Sequence, residues 1–129
     1  MRLNDEIISQ LKVLTSFTTY CTDIGWLYFK FNGYQMLFIP SKNDSNVIRI
    51  CIPHFEKAEA FDSRILSIAI NETNREVMFV KVTILGNGSI SLNYDHKYIE
   101  STKLKALLNH ILRALYFAAE HLKTKLYKK

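Results

Sequence analysis

The sequence is poor in residues that break or brace a chain: two prolines, four glycines and two cysteines among 129 residues. So little proline and glycine leaves no room for a flexible linker, and no segment is repetitive or of low complexity. The length fits one domain over residues 1–129, able to bury a core without disulfides or metal. Pro40 and Pro53 each follow an apolar run and read as strand terminators. Cys21, at the end of a helix pattern, and Cys51, inside a strand pattern, read as small buried hydrophobes. Their positions leave a disulfide between them open, although nothing points to an oxidising compartment. Long hydrophobic runs are missing as well. No segment approaches the length that spans a bilayer, and residues 1–10 alternate polar with apolar instead of forming a signal-peptide core. The expectation is a soluble, cytoplasmic protein.

What the chain does contain is ordinary globular patterning, with 48% apolar and 22% charged residues. From Asn4 to about Tyr20, Ile7, Leu11, Leu14 and Phe17 recur at helical steps, with Asn4 as a plausible N-cap. Trp26–Phe31 and Tyr34–Ile39 are aromatic-rich strand patterns joined by Asn32-Gly33, the pair a type I′ hairpin turn requires. A polar loop over 41–46 leads to a third strand, Val47–Ile52. Helical spacing returns from Glu56 to about Glu76, in two offset stripes: Phe61, Ile65, Ile68 and Ala69, then Leu66, Ile70 and Val77. Met78–Leu85 alternates as a strand, Gly86-Asn87-Gly88 turns it, and Ser89–Tyr94 returns with Ile90, Leu92 and Tyr94 facing in and Ser89, Ser91 and Asn93 facing out. A final helix, capped by Ser101 or Thr102, runs towards Tyr127 on a seam of Leu104, Leu108, Ile111, Leu115, Ala118 and Leu122, broadened by Leu107, Ala114 and Phe117. The order α-βββ-α-ββ-α predicts an α+β fold: an antiparallel five-stranded sheet with three helices on one face.

No arrangement of residues carries chemistry. His54, His96, His110 and His121 are scattered, and neither Cys-x-x-Cys nor His-Glu-x-x-His occurs. Cys51 could meet a histidine in space, but its strand setting favours a packed thiol, and Asp95-His96 reads as a loop dipeptide without a third partner. Gly86-Asn87-Gly88 joins two strands and opens no helix, so it is a turn and not a phosphate loop. Asn71 and Asn74 lie three apart on one helix face and read as structural, either capping the helix end or bonding to neighbouring backbone. The expectation is no catalytic, metal or cofactor site, and no enzyme.

Several local sequences carry a resemblance. Ile65–Asn74 (Ile-Leu-Ser-Ile-Ala-Ile-Asn-Glu-Thr-Asn) runs into Phe79-Val80-Lys81-Val82, then the turn at Gly86–Gly88 and the closing helix from Leu104 to Leu122. With these segments the chain resembles the type III secretion chaperone-like fold, and within it the small bacterial YbjN-type family. The resemblance implies an α+β fold, frequent homodimerisation, and protein binding or regulation in place of catalysis. It implies no catalytic residues. Secretion chaperones are commonly acidic, and here the chain departs from them with a net charge of +5.

That charge sits at one end. Residues 1–99 hold ten Lys/Arg and ten Asp/Glu, whereas residues 100–129 hold seven Lys/Arg and two Glu. Lys123, Lys125, Lys128 and Lys129 crowd the last turns and the basic tail over 123–129, where cations suit a helix C-terminus. Their functional reading is contact with an acidic partner, nucleic acid or an anionic surface. Lysine without clustered arginine or interleaved aromatics argues against nucleic acid. The first hairpin, by contrast, is apolar on both faces, which calls either for helices on both sides or for a partner. The leading expectation is therefore a non-catalytic protein-binding, chaperone-like or regulatory homodimer with an unidentified protein partner. Its interface would use Trp26, Tyr28, Tyr34, Met36 and Phe38 of the hairpin, with Leu66 and Ile70 of the second helix. The alternative is an acidic-partner binder working through the lysine-rich C-terminal helix.

Overall fold

The computed structural model describes residues 3–15, 20–22, 24–41, 46–99 and 103–127. In chain order they form α1 (Leu3–Thr15), β1 (Tyr20–Cys21), β2 (Leu27–Phe31), β3 (Tyr34–Ile39), β4 (Val47–Lys57), a 3-10 turn (Ala58–Ala60), α2 (Ser63–Glu76), β5 (Lys81–Ile84), β6 (Ser89–Lys97) and α3 (Leu104–Leu126). The strands pair antiparallel throughout, in the order β1-β2-β3-β4-β6-β5. This is the expected α+β architecture and element order. The five expected strands are joined at one edge by the two-residue β1.

The β2–β3 turn sets the register of half the sheet. Asn32 and Gly33 both take positive φ, 49° and 88°, as a type I′ turn demands. Phe31 then pairs with Tyr34, Phe29 with Met36 and Leu27 with Phe38, which puts all six on one face. Ile48, Ile50 and Ile52 of β4, Ile90, Leu92 and Tyr94 of β6, and Val82 of β5 continue that face into a single core cluster. Onto it α1 places Ile7 and Leu11, α2 places Leu66 and Ala69, and α3 places a wholly buried seam from Leu108 to Leu122. All three helices thus cover the same face of the sheet.

The opposite face is not simply solvated. Leu37 and its cross-strand partner Cys51 retain only 3% and 5% of their exposure, outside the main core cluster. The thiol of Cys51 is pushed up to about 12, chiefly by burial, which makes it a poor nucleophile. Register also settles the disulfide question. Cys21 pairs with Leu27, in line with Phe38 and Ile50, so its Cα lies three strand spacings, about 14 Å, from the β4 backbone. A disulfide bridges Cα atoms less than about 7 Å apart. Further along this face, Ser89 and Ser91 are buried, at 2% and 1%, contrary to the outward exposure expected of them. His54 stands at Ser89 and Asn93 at Ser91. The Asn93 amide donates to Lys81 O, Thr83 Oγ1 and Ser91 O, and its Oδ1 accepts from the Ser91 hydroxyl.

Several expected boundaries move. Asn4 lies within α1, not at its cap, and its Nδ2 donates to Ser41 O at 3.2 Å. Tyr20 and Cys21 belong to a strand rather than to the first helix. Pro53 does not end the third strand: β4 continues to Lys57, and the proline sits where the β4–β6 register shifts between Ile52 and Glu56. A bulge leaves a residue out of the ladder, so the missing N–H costs nothing there. Helix α2 consequently starts at Ser63, not near Glu56, and Asp62 caps it by accepting from Arg64 N–H and Ile65 N–H. Met78 precedes β5 and is exposed. Asp95 and His96 lie in β6 rather than in a loop. Lys103 stands at the start of α3 without a side-chain cap. Ser101 and Thr102, expected there, lie outside the described residues, as do Phe17 and most of the 41–46 loop.

Asn74, on the last turn of α2, closes the β5 edge. Its Oδ1 accepts from Val82 N–H at 2.6 Å and its Nδ2 donates to Val82 O at 3.1 Å. One amide side chain thereby makes both bonds that a neighbouring strand would make, the backbone-bonding role expected of it. Replacing it with alanine strands two backbone groups at a part-buried edge. Asn74→Ala is expected to lower the unfolding free energy by about 1–3 kcal/mol, read from urea midpoints, with faster amide exchange at Val82. An unchanged midpoint would show that the clamp contributes nothing.

Candidate interaction surface

The structure divides the residues expected at an interface. Met36 and Phe38 have no exposure and Leu66 has 5%. These three are core, because the hairpin register turns Met36 and Phe38 towards the helices, and they cannot meet a partner. Trp26 is half-buried ahead of β2. Tyr28, also half-buried, pairs with Leu37 on the face away from the core. Tyr34 stands at the margin of the core, its ring against Phe55 and Tyr116 and its hydroxyl donating to the Glu120 carboxylate on α3. Burial first, then that carboxylate, drives the hydroxyl well above the ordinary tyrosine range. Ile70 is half-buried beside β5.

The basic end of the chain is partly neutralised from within. Helices α2 and α3 run antiparallel, and Lys125 Nζ reaches Glu72 Oε2 at 2.7 Å and Glu76 Oε2 at 3.2 Å. One turn earlier on α3, His121 Nε2 donates to Glu76 Oε2 at 2.7 Å. Lys125 is therefore not available as a free cation, contrary to the acidic-partner reading of this end. Lys123 is exposed, and Lys128 and Lys129 lie outside the described residues. The bond from His121, then that from Lys125, holds the Glu76 carboxyl below the usual carboxylate range. The bond to Glu72 raises Lys125 in turn.

Several bulky apolar side chains that do reach water lie on and beyond α2. On α2, Leu66, Ala69 and Thr73 take the core-facing arc, leaving Ile65 and Ile68 about half exposed. Beyond α2, Val77 and Val80 are both buried, so the chain is pinned at two points three residues apart, and Met78 and Phe79 bulge outward between them. The reversal forces Phe79 to φ +71°, a conformation that is a true outlier for a bulky residue. Met78 is 73% exposed, Phe79 59%, and Phe117, across from them on α3, 61%.

These side chains frame a groove of roughly 640 Å³ between the α2–β5 turn and the outer face of α3. Ala106, Asn109, His110, Arg113 and Ala114 complete its α3 wall, and Glu76 stands at its rim. The Phe79 ring packs against Tyr94 and edge-on to His110, and Phe117 stacks on His121. The surface can receive apolar side chains along its floor and a polar or anionic group at Arg113. The sequence pattern placed Met78 in the alternating strand and Phe117 on the flank of the closing helix's seam. The usable signal was the adjacency of Met78 and Phe79, since consecutive strand residues cannot both face one core.

A smaller groove lies on the other flank of α2, with Leu66, Ile70, Val82 and Ile84 as its floor and Ser63, Ser67, Asn71 and Thr83 as its rim. Asn71 lines this groove, whereas Asn74 is spent on the strand edge. Among the described residues, no three His, Cys, Asp or Glu side chains stand close enough to hold a metal ion, and no helix is long and apolar enough to cross a membrane.

The pH dependence of the α2–α3 contact follows from Glu76. A carboxyl held low in the folded chain stabilises the fold above the ordinary carboxylate range, and that contribution is lost as the pH falls through the folded value. Wild type is expected to melt above Glu76→Gln at pH 6, with the gap narrowing as the pH falls below the ordinary carboxylate range. A constant gap over that fall in pH would show that the ionised carboxylate is not what matters.

No protein-family model and no curated protein matches the chain. Among solved structures, an uncharacterized protein from Methanothermobacter thermautotrophicus is similar to it with a TM-score of 0.64 at 12% sequence identity, over 96% of each chain. At that identity the likeness concerns the fold alone.

Proposed function

We propose that the chain is a non-catalytic protein-binding module that works as a homodimer, akin to the YbjN-type proteins of the secretion chaperone-like fold. The observation that carries the reading is Phe79. A backbone conformation of this kind costs about 1–3 kcal/mol, and here it presents an aromatic ring largely to water, beside Met78 and Phe117. Clustered exposed apolar residues of this kind mark sites of protein contact. Ile65 and Ile68 on α2 supply a second such surface, suited to a second copy of the chain. This keeps the second helix in the expected interface while exchanging Leu66 and Ile70 for the more exposed Ile65 and Ile68. The element order and the Asn74 bonds to the following strand support the family kinship.

Two outcomes test the reading. Sedimentation velocity at micromolar concentration should show a dimer that Ile68→Asp converts to monomer. A monomeric wild type would end the homodimer part. Phe79→Gly should stabilise the monomer fold by about 1 kcal/mol by relieving the strained φ. A loss of stability would mean that Phe79 is retained for packing and not for binding.

A further inference from the structure

We infer that the groove between the α2–β5 turn and α3 receives an acidic amphipathic peptide segment of a partner protein, with its apolar side chains on Met78, Phe79 and Phe117 and a carboxylate on Arg113. The inference rests on the protein-binding reading above and names the chemistry of the partner. The charge pattern of α3 supports it. From Lys103 to Phe117 the chain carries Lys103, Lys105 and Arg113 and no carboxylate at all. Lys103, Ala106, His110, Arg113 and Phe117 follow one another at steps of three and four, which sets them on a single face of the helix. That face is the groove wall from Ala106 to Phe117. Among the described residues neither Lys103 nor Arg113 makes an ion pair. Glu76, the carboxylate at the rim, is already engaged by His121 and Lys125.

Unpaired positive charge therefore stands at the start and middle of α3, beside the exposed rings of Phe79 and Phe117. Of the cations expected to act at the other end of the helix, Lys125 is tied to α2. A ligand that satisfies this wall must bring apolar groups and negative charge together. An acidic amphipathic peptide does so, and its carboxylate on Arg113 gains a two-pronged, charge-assisted bond. A nucleic acid would use the cations but would leave Met78 and Ala114 facing a charged backbone.

The test is fluorescence anisotropy on the full chain with three labelled probes. They are a designed peptide with Leu at helical spacing and Glu elsewhere, the same peptide with Gln for every Glu, and an oligodeoxythymidine. The Glu peptide should bind saturably, and the Gln peptide about tenfold more weakly, the worth of one charge-assisted bond. The doubly substituted Lys103→Gln, Arg113→Gln protein should lose that preference, and added salt should erode it. Phe117→Ala should weaken both peptides. All three side chains are on the surface, and thermal melts confirm that the variants fold. Equal binding of the Glu and Gln peptides, with loss in Phe117→Ala, would overturn the charge inference while leaving a protein-binding groove. Preferential binding of the oligonucleotide would overturn it in favour of nucleic acid. Absence of saturable binding by either peptide would overturn both the inference and the use of this groove, leaving the α2 dimer surface to stand or fall on sedimentation.

Discussion

Seven side chains of α3, from Leu108 to Leu122, are wholly withdrawn from water, and the positions of the other helices follow from that one buried face. A fully buried leucine or isoleucine contributes about 1.5–3 kcal/mol, so this seam dominates over the partly exposed ionic contacts beside it. It seats α3 across β4 and β6, the two longest strands of the sheet, and leaves room on either side for α1 and α2. The Glu72, Glu76, His121 and Lys125 cluster then fixes where α2 lies along α3. Because only one side of α3 is needed for the core, its other side, from Ala106 through Arg113 to Phe117, is left as surface.

Much of this was legible in the residues. Asn32-Gly33 announced its turn, the Ile90, Leu92 and Tyr94 alternation announced its inward face, and the four-and-three spacing from Leu104 to Leu122 announced the seam. The parts that were not legible share a cause: they depend on neighbours that are distant in sequence. Pro53 looks like a terminator until β6 is in place to show that a bulge absorbs it. The stretch from Glu56 to Asp62 has helical spacing, yet Glu56 and Lys57 pair with Ile90 and Ser89 more than thirty residues later. Tertiary pairing overrides local pattern there. Ser89 and Ser91 occupy the face predicted for them, but they are buried beside contacts no periodicity could announce, His54 at Ser89 and an Asn93 network at Ser91.

The surface was harder to read than the core. Periodicity identifies apolar stripes without saying which one meets a partner inside the chain, so the hairpin residues Met36 and Phe38 looked available and Phe117 did not. Lysine counts were misleading in the same way, because a cation's meaning depends on whether a carboxylate from another helix stands beside it. Lys125 has two and Arg113 has none among the described residues. The contrast shifts attention from the end of the helix to its middle.

The Asn74 clamp has a consequence for how the protein behaves when it is not fully folded. The outer edge of β5 is blocked by a side chain that belongs to a helix, and alternation along the ladder points the N–H and C=O of Ile84 outward as well. Any fluctuation that lifts the end of α2 therefore unveils a row of unsatisfied strand groups next to Val82 and Ile84, a template for adding strands from other chains. Docking of α2 is thus also the device that keeps the sheet finite. The partly unfolded state to be avoided in handling this protein is the one in which α2 has left and the sheet remains.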